Sequence, residues 1–311
     1  MARQKRELIG EDGSSRGFYS EDNRVNDLTG REWVFWTRSV ITKPYPPNLQ
    51  HALRNRHGGQ KPPDLCADLL RVFTKEGQLV LDPFMGVGGT LLGASRCGRR
   101  AVGIEINPTW IGIYREVCAR EGLEVQETLE GDAVERLRGL EGRAFDCVLT
   151  DVPYWSMDTV SRSRGTYKRV GSPASPARAS KLSAFRDGAY RSKTEWRQRM
   201  GEAFTRAASL LKENAYLLSF IGDMYRENQY HCLSAELAEV IAGIPGMIWK
   251  ANLVWYDVSK KLHLYGYQYS YIPSLIHQNI LVFRRELPRG GGTEPDGSAG
   301  TGGSAFPPSG G

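Results

Sequence analysis

The chain has 311 residues, 40% of them hydrophobic and 24% charged, enough to bury a sizeable core and unlike a wholly disordered or fibrous protein. Forty-one Lys and Arg against 35 Asp and Glu leave a net charge of +6, which is compatible with a nucleic-acid partner without establishing one. No apolar run approaches the ~18–20 residues of a membrane span. The basic start Met1-Ala2-Arg3-Gln4-Lys5-Arg6 leads into no apolar stretch, and the five cysteines are scattered without a CxxC pair. A cytoplasmic protein with no metal site and no disulfide framework is expected.

Residues 1–25 are polar with little periodicity and are expected to form a flexible lead-in. Apolar residues at helical spacing predict a helix over 63–74, opened by Pro62 and Pro63. A strand over 78–81, a helix over 89–97, a strand over 100–106 and a helix over 110–121 follow. Next come a weak strand over 124–127, a short helix over 133–140 and an apolar strand over 145–150. Residues 156–194 carry no predicted element. Beyond them the pattern predicts a helix over 195–212, a strand over 215–221, a helix over 230–242 and strands over 248–256 and 278–285. Strands separated by helices of this length imply right-handed crossovers and a mostly parallel α/β sheet, here over 26–287. From 288 to 311 the chain is Gly, Ser and Pro with few apolar residues, and a disordered tail is expected.

Two turns at predicted strand ends carry chemistry. The first is Asp82-Pro83-Phe84-Met85-Gly86-Val87-Gly88-Gly89-Thr90, running from an apolar strand into a helix. Glycines there let the backbone turn tightly and approach a ligand, and the helix start behind them offers free N–H groups. The spacing matches neither G-x-G-x-x-G nor a P-loop. Glu105, ending the second strand, is placed to accept hydrogen bonds from ribose hydroxyls, or is an ordinary solvated acid. Asp132, after the weak third strand, can contact an adenine amine or cap the helix that follows.

The second turn is Asp151-Val152-Pro153-Tyr154, with Trp155 after it, at the carboxyl end of the 145–150 strand. In an open α/β sheet, ligands bind at that edge. A carboxylate and the next backbone carbonyl can accept both N–H groups of an exocyclic amine, while Tyr154 stacks on a planar base. A polar turn that only closes the strand is the other reading.

The first turn resembles the S-adenosylmethionine-binding motif D-P-F-x-G-x-G-T of amino-methyltransferases, with Gly89 as an insertion. The second resembles the catalytic D-P-P-Y motif of the N6-adenine and N4-cytosine DNA methyltransferases, with Val152 where proline is usual. The carbonyl survives that change; the fixed φ of proline does not. His57-Gly58-Gly59-Gln60-Lys61-Pro62 resembles the family's H-P-x-Q-K-P segment, in which Lys61 and Pro62 match. The aromatic stretch before it, with Trp33 and Trp36, resembles the family too; those tryptophans read equally as core or as ligand contacts. The order is covering segment, cofactor motif, catalytic motif, whereas many relatives put the catalytic motif first.

The resemblance covers roughly residues 30–286. It implies a Rossmann-like class I methyltransferase sheet, mostly parallel with a final antiparallel strand. It also implies S-adenosyl-L-methionine bound by Asp82, Pro83, Phe84, Gly86, Gly88, Thr90, Glu105, Asp132, Lys61 and Pro62. Methyl transfer to the exocyclic amine of a DNA base, N4 of cytosine or N6 of adenine, would rest on Asp151, Val152, Pro153 and Tyr154.

No Pro-Cys dipeptide supports cytosine C5 chemistry, a protein glutamine methyltransferase usually has Asn at position 151, and the five histidines are dispersed. The stretch 161–194 holds nine basic residues against one acid, Asp187. Arg162, Arg164, Lys168, Arg169 and Lys181 within it are read as nucleic-acid contacts. Lys260 and Lys261, with Tyr265, Tyr267, Tyr269 and Tyr271, add a second contact surface or a core-packed strand. No separate recognition domain is apparent, which keeps RNA open as the alternative substrate. A non-catalytic cofactor-sensing nucleic-acid binder is the rival from outside enzymes. Oligomeric state is not readable.

Overall fold

The computed structural model describes residues 5–155, 190, 192–226, 228–265 and 267–287. Strands β1 (Lys5–Ile9) and β2 (Ser15–Ser20) pair antiparallel around Asp12-Gly13, with Gly13 at φ 78°, so residues 5–20 form a hairpin and not the flexible lead-in expected over 1–25. The reason lies in contacts distant in sequence. Thr29 Oγ1 donates to the Arg16 carbonyl at 2.9 Å, Asn26 Nδ2 to the Val72 carbonyl at 2.6 Å, and Lys75 Nζ to the Asn23 carbonyl at 2.6 Å. Helix α1 (Gly30–Trp36) starts at a capping box in which Thr29 and Glu32 exchange side-chain and backbone bonds. Two short elements, β3 (Val40–Ile41) and α2 (His51–Arg54), lead to α3 (Pro63–Phe73), which has proline in its first turn.

The alternating unit then begins. It comprises β4 (Leu79–Asp82), α4 (Gly89–Arg96), β5 (Arg100–Glu105), α5 (Pro108–Glu121), β6 (Glu127–Glu130), α6 (Ala133–Arg138) and β7 (Phe145–Asp151). It continues with α7 (Lys193–Leu210), β8 (Leu211–Ile221), the small hairpin β9 (Met224–Arg226) and β10 (Gln229–His231), α8 (Leu233–Ala242), β11 (Met247–Tyr256) and β12 (His277–Arg285). The main sheet runs β3-β11-β12-β8-β7-β4-β5-β6. Neighbours from β6 through β8 are parallel, and β12 is antiparallel to both β8 and β11. Numbered from β4, the order is 3-2-1-4-5-7-6, the doubly wound arrangement with its last strand slotted in antiparallel. This is the Rossmann-like class I methyltransferase sheet, with β3 added parallel to β11 at the edge.

Apolar layers cover both faces. Trp196, Phe204, Leu237 and Ile241 lie on one, and Leu65, Leu69, Leu91 and Tyr114 on the other. In β7, Cys147 and Leu149 face the second layer and Val148 the first, as a strand buried on both sides requires. Helix α4 packs in one layer and α7 in the other, so the chain leaving β4 and the chain leaving β7 part at their carboxyl ends. That divergence opens a crevice at the switch point.

Three boundaries differ from the sequence reading. The third strand is displaced from 124–127 to Glu127–Glu130, because the Gln126 side chain takes the ladder place opposite Ala101, accepting its N–H at 2.9 Å. The start of the predicted 230–242 helix is strand β10. Asp223, across the hairpin, accepts from Ser234 N at 2.9 Å and begins α8 there. The tyrosines at 265–271 form neither a core-packed strand nor part of one: Tyr269 and Tyr271 are 94% and 91% exposed. Among the described residues no helix is long and apolar enough to cross a membrane.

Candidate active site

The turn after β4 divides its residues between scaffold and cavity. Asp82 is buried; its Oδ1 accepts from Thr150 Oγ1 at 2.6 Å and Phe84 N at 3.1 Å, and burial pushes its carboxyl up to about 6. Thr90 Oγ1 donates to the Leu149 carbonyl at 3.3 Å. Both residues tie β4 and α4 to β7. Gly88 stands at φ 77° with the Tyr114 ring where a side chain would go. These three of the residues expected to hold cofactor therefore build the turn and do not line the cavity. Pro62 lies outside it too, in a smaller cleft behind Lys61.

Pro83, Phe84 and Gly86 do line the cavity. Gly86, at φ 52°, donates its N–H to Glu105 Oε2 at 2.9 Å. A Cβ there would sit 3.0 Å from the His57 ring, so glycine permits both the backbone turn and the close approach. Glu105 Oε1 accepts from Asn107 N at 2.8 Å. Burial, the largest influence, pushes this carboxyl up to about 7 against three lowering backbone bonds, from Asn107, Gly86 and Ile106. Glu105 is thus no solvated acid; it is a half-buried acceptor whose remaining lone pairs face the cavity.

Asp132 is the N-cap of α6: its Oδ1 accepts from Val134 N at 2.9 Å and Glu135 N at 3.2 Å. Its Oδ2 takes Arg199 at 2.7 Å, and the residue also lines the cavity, so capping and cavity placement coincide. Two aromatic neighbours had not been picked out as site residues. Trp110, early in α5, meets the His57 ring edge to face at 5.0 Å, and both line the cavity. Burial pulls His57 down to about 4, so it is neutral at pH 7. Its place in the H-P-x-Q-K-P-like segment was the signal available. Trp110 sits on an apolar helical face and reads as core.

The second turn closes the opposite wall. Asp151, Val152, Pro153 and Tyr154 all line the same cavity of about 580 Å³. Asp151 Oδ2 accepts from the Lys61 ammonium, while Oδ1 is buried with no hydrogen-bond partner among the described residues. Burial raises the Asp151 carboxyl, and Lys61, Lys260 and the Tyr154 hydroxyl lower it. Lys61, assigned by resemblance to the cofactor, is therefore placed on the catalytic-motif carboxylate. Tyr154 OH accepts from Gln278 Nε2 at 2.9 Å. Val152 is 2% exposed within the α7-side core, and Trp196 Nε1 donates to the Pro153 carbonyl at 2.8 Å. These contacts supply the rigidity that a second proline would have given. Trp196, Gln278 and Lys260, the last also at the cavity wall, come from α7, β12 and the β11–β12 connection, and no local pattern marks them. Arg162, Arg164, Lys168, Arg169 and Lys181 lie outside the described residues. Among the described residues no group of three or more His, Cys, Asp and Glu is arranged to hold a metal ion.

A class I methyltransferase sheet, with its crevice walled by a Gly-turned acidic pocket and an Asp-x-Pro-Tyr turn, is the class of protein that fold and site define. Residues 16–116 match the protein-family profile described as DNA methylase. The tRNA (guanine(10)-N2)-dimethyltransferase of Pyrococcus abyssi is 29% identical over 154 residues, 47% of this chain and 41% of that protein. Type II methyltransferase M2.DpnII of Streptococcus pneumoniae is 34% identical over 107 residues, 34% of this chain and 37% of its own. Type II methyltransferase M.HindIII of Haemophilus influenzae is 46% identical over 68 residues, 22% of this chain and 21% of its own. The chain thus spans about two fifths or less of the length of these relatives.

Proposed function

We propose that the protein transfers a methyl group from S-adenosylmethionine to the exocyclic amine of a nucleic-acid base, DNA first, at N4 of cytosine or N6 of adenine. The observation that carries this reading is Asp151 Oδ1: buried, without a hydrogen-bond partner among the described residues, in a residue on the wall of the cavity that Gly86 and Glu105 also line. An orphaned buried acceptor is costly unless a ligand donor reaches it. An amine N–H is such a donor.

The residues present fit the cofactor. Glu105 offers free lone pairs to ribose hydroxyls, Gly86 leaves room beside it, and His57 with Trp110 make an aromatic wall for a purine. When bound, S-adenosylmethionine supplies an electrophilic methyl on a sulfonium. The chain's own work is positioning and electrostatics. Asp151 Oδ1 and the Val152 carbonyl accept hydrogen bonds from the two amine N–H groups, turning the nitrogen lone pair toward the cofactor side, and Asp151 is placed to take the one proton that leaves the methylated nitrogen. Tyr154, held by Gln278, stacks on the base. A duplex target must be flipped at about a few kcal/mol.

For the nucleic acid itself, support comes from the rim. Lys260 stands at the cavity wall, and the exposed Tyr267, Tyr269 and Tyr271 follow it on the same connection, a surface suited to stacking. The five basic residues assigned to contacts within 156–194 are proposed as phosphate grips. We place the activity in the unit 26–287, to which the docked hairpin adds, and in the cytoplasm, in keeping with five unpaired cysteines. RNA is the second reading, because the longest match above is to a tRNA dimethyltransferase that acts at a guanine amine by its name.

Labelled S-adenosylmethionine offered to genomic DNA and total RNA, followed by nucleoside identification by mass, tests the proposal. N4-methylcytosine or N6-methyladenine in DNA is expected; label in RNA alone moves the substrate. Asp151→Ala should abolish transfer while S-adenosylhomocysteine still binds. Equal transfer by variant and wild type sinks the enzyme reading.

A further inference from the structure

Resting on that reading of the site, we propose that Lys61 is a positioning residue for the amine acceptor and not a cofactor ligand: it holds one oxygen of Asp151 so that the other alone is presented to the substrate. The two carboxylate oxygens have different fates. Oδ2 takes the Lys61 ammonium, and Oδ1 is buried without a well-formed hydrogen bond among the described residues, with the Tyr154 hydroxyl of its own turn also acting on the carboxyl, in a residue that lines the cavity. A carboxylate with both oxygens free could rotate and offer either; one with an oxygen tied to a cation has a single orientation.

Lys61 is itself fixed. It is 7% exposed, and its ammonium lies 5.4 Å from the centre of the Phe220 ring on β8. Its carbonyl accepts from the buried Arg54 guanidinium at 3.4 Å. A Cβ on Gly89 at the start of α4 would come within 3.0 Å of that same carbonyl. The segment before α3, the start of α4 and strand β8 therefore hold the ammonium in place.

The second consequence is ionisation. Only the anion presents Oδ1 to an amine N–H purely as an acceptor; the neutral acid can carry its own proton there and compete as a donor. Burial favours the neutral acid, and the titratable groups facing Asp151 set the balance: the cations Lys61 before α3 and Lys260 in the β11–β12 connection, the neutral Tyr154 hydroxyl on its own turn and Cys66 thiol of α3, and the buried Asp82 of β4. Lys61 is the first-ranked of the groups that lower it. Lys260 is itself disfavoured as a cation by burial. Removing the Lys61 charge leaves Asp151 protonated at a pH where the wild type is ionised.

Lys61→Met, Lys61→Arg and wild type are compared at saturating cofactor. Lys61→Met is expected to lower kcat by about tenfold or more and to move the acid limb of the kcat–pH profile to higher pH by about one unit or more. Its affinity for S-adenosylhomocysteine by calorimetry should stay within about threefold, and Lys61→Arg should recover most of kcat. Infrared titration of the Asp151 carboxyl, assigned by subtraction of Asp151→Asn, reads the same coupling without turnover. If the base-methylation reading itself fails, the carboxyl in Lys61→Met still protonates at higher pH than in wild type. An unmoved carboxyl titration overturns the proposal. So does a variant whose kcat is unchanged while S-adenosylhomocysteine binding falls about tenfold, which would return Lys61 to the cofactor. Melting curves of all three proteins separate these outcomes from unfolding; should Lys61→Met not fold, Lys61→Gln carries the same titration.

Discussion

Glu105 is the residue whose protonation links the cofactor side of the cavity to pH. Its carboxyl stands near 7 in the folded chain against an ordinary 4.5. A raised folded value means the native state holds the proton more tightly than the unfolded one. The stability this confers is complete below about pH 4.5 and is lost as pH rises through about 7. Only the ionised form accepts on both oxygens from ribose hydroxyls, so binding runs the opposite way. Affinity for S-adenosylhomocysteine, measured calorimetrically, should rise between pH 6 and pH 8 in the wild type. In Glu105→Gln it should be flat and weaker by about tenfold, on the order of one to two hydrogen bonds. A wild-type affinity independent of pH would remove Glu105 from the contact. Asp82 belongs to a different category despite its similar environment. Its oxygen is used by Thr150 and the Phe84 amide, so its acidity serves the junction of β4 with β7.

Among the elements, the N-terminal hairpin and α1 were the least visible in the sequence, although a signal for each was present. Asp12-Gly13 between short strand-like runs is a hairpin turn signature, and Thr29-Gly30-Arg31-Glu32 is a capping box. What the local pattern could not reveal was the docking partner, since Val72 and Lys75 lie about fifty residues away in the chain. Thr29 serves both units, capping α1 and donating to the Arg16 carbonyl of β2. Thr29→Ala should therefore cost about 1–2 kcal/mol in urea unfolding, the upper part of the range for a cap because the Arg16 carbonyl also loses its hydrogen bond. Serine at the same place should restore most of it. A loss below about 0.3 kcal/mol would mean the cap and hairpin contact are not both made. By contrast, helices α3, α5 and α7 and strands β4, β5 and β7 were legible to within about two residues, because their apolar spacing is matched by proline, asparagine or serine at the ends.

At the scale of the whole molecule, the proposed nucleic-acid affinity should depend on net charge and its placement more than on any single contact. Residues 161–180 carry five basic residues, Arg162, Arg164, Lys168, Arg169 and Arg178, and no acid. Deleting them should weaken DNA binding and flatten the slope of log K against log salt by up to about four units if all five reach phosphate. Cofactor affinity should remain. An unchanged salt slope would remove that stretch from the interface.

Both motif turns and the order of strands and helices between 63 and 151 were readable in the chain, because glycine, proline and apolar periodicity act over a few residues; the antiparallel direction of the last strand came only from the family resemblance. Division of the motif residues into scaffold and cavity was not readable. Asp82 and Thr90 turn inward to β7, Lys61 reaches across to Asp151, and Trp196 braces Pro153 from a helix more than forty residues on. Those outcomes depend on which elements the sheet order makes neighbours, and on the cost of leaving a buried polar atom unpaired. Neither is a property of any local run of residues.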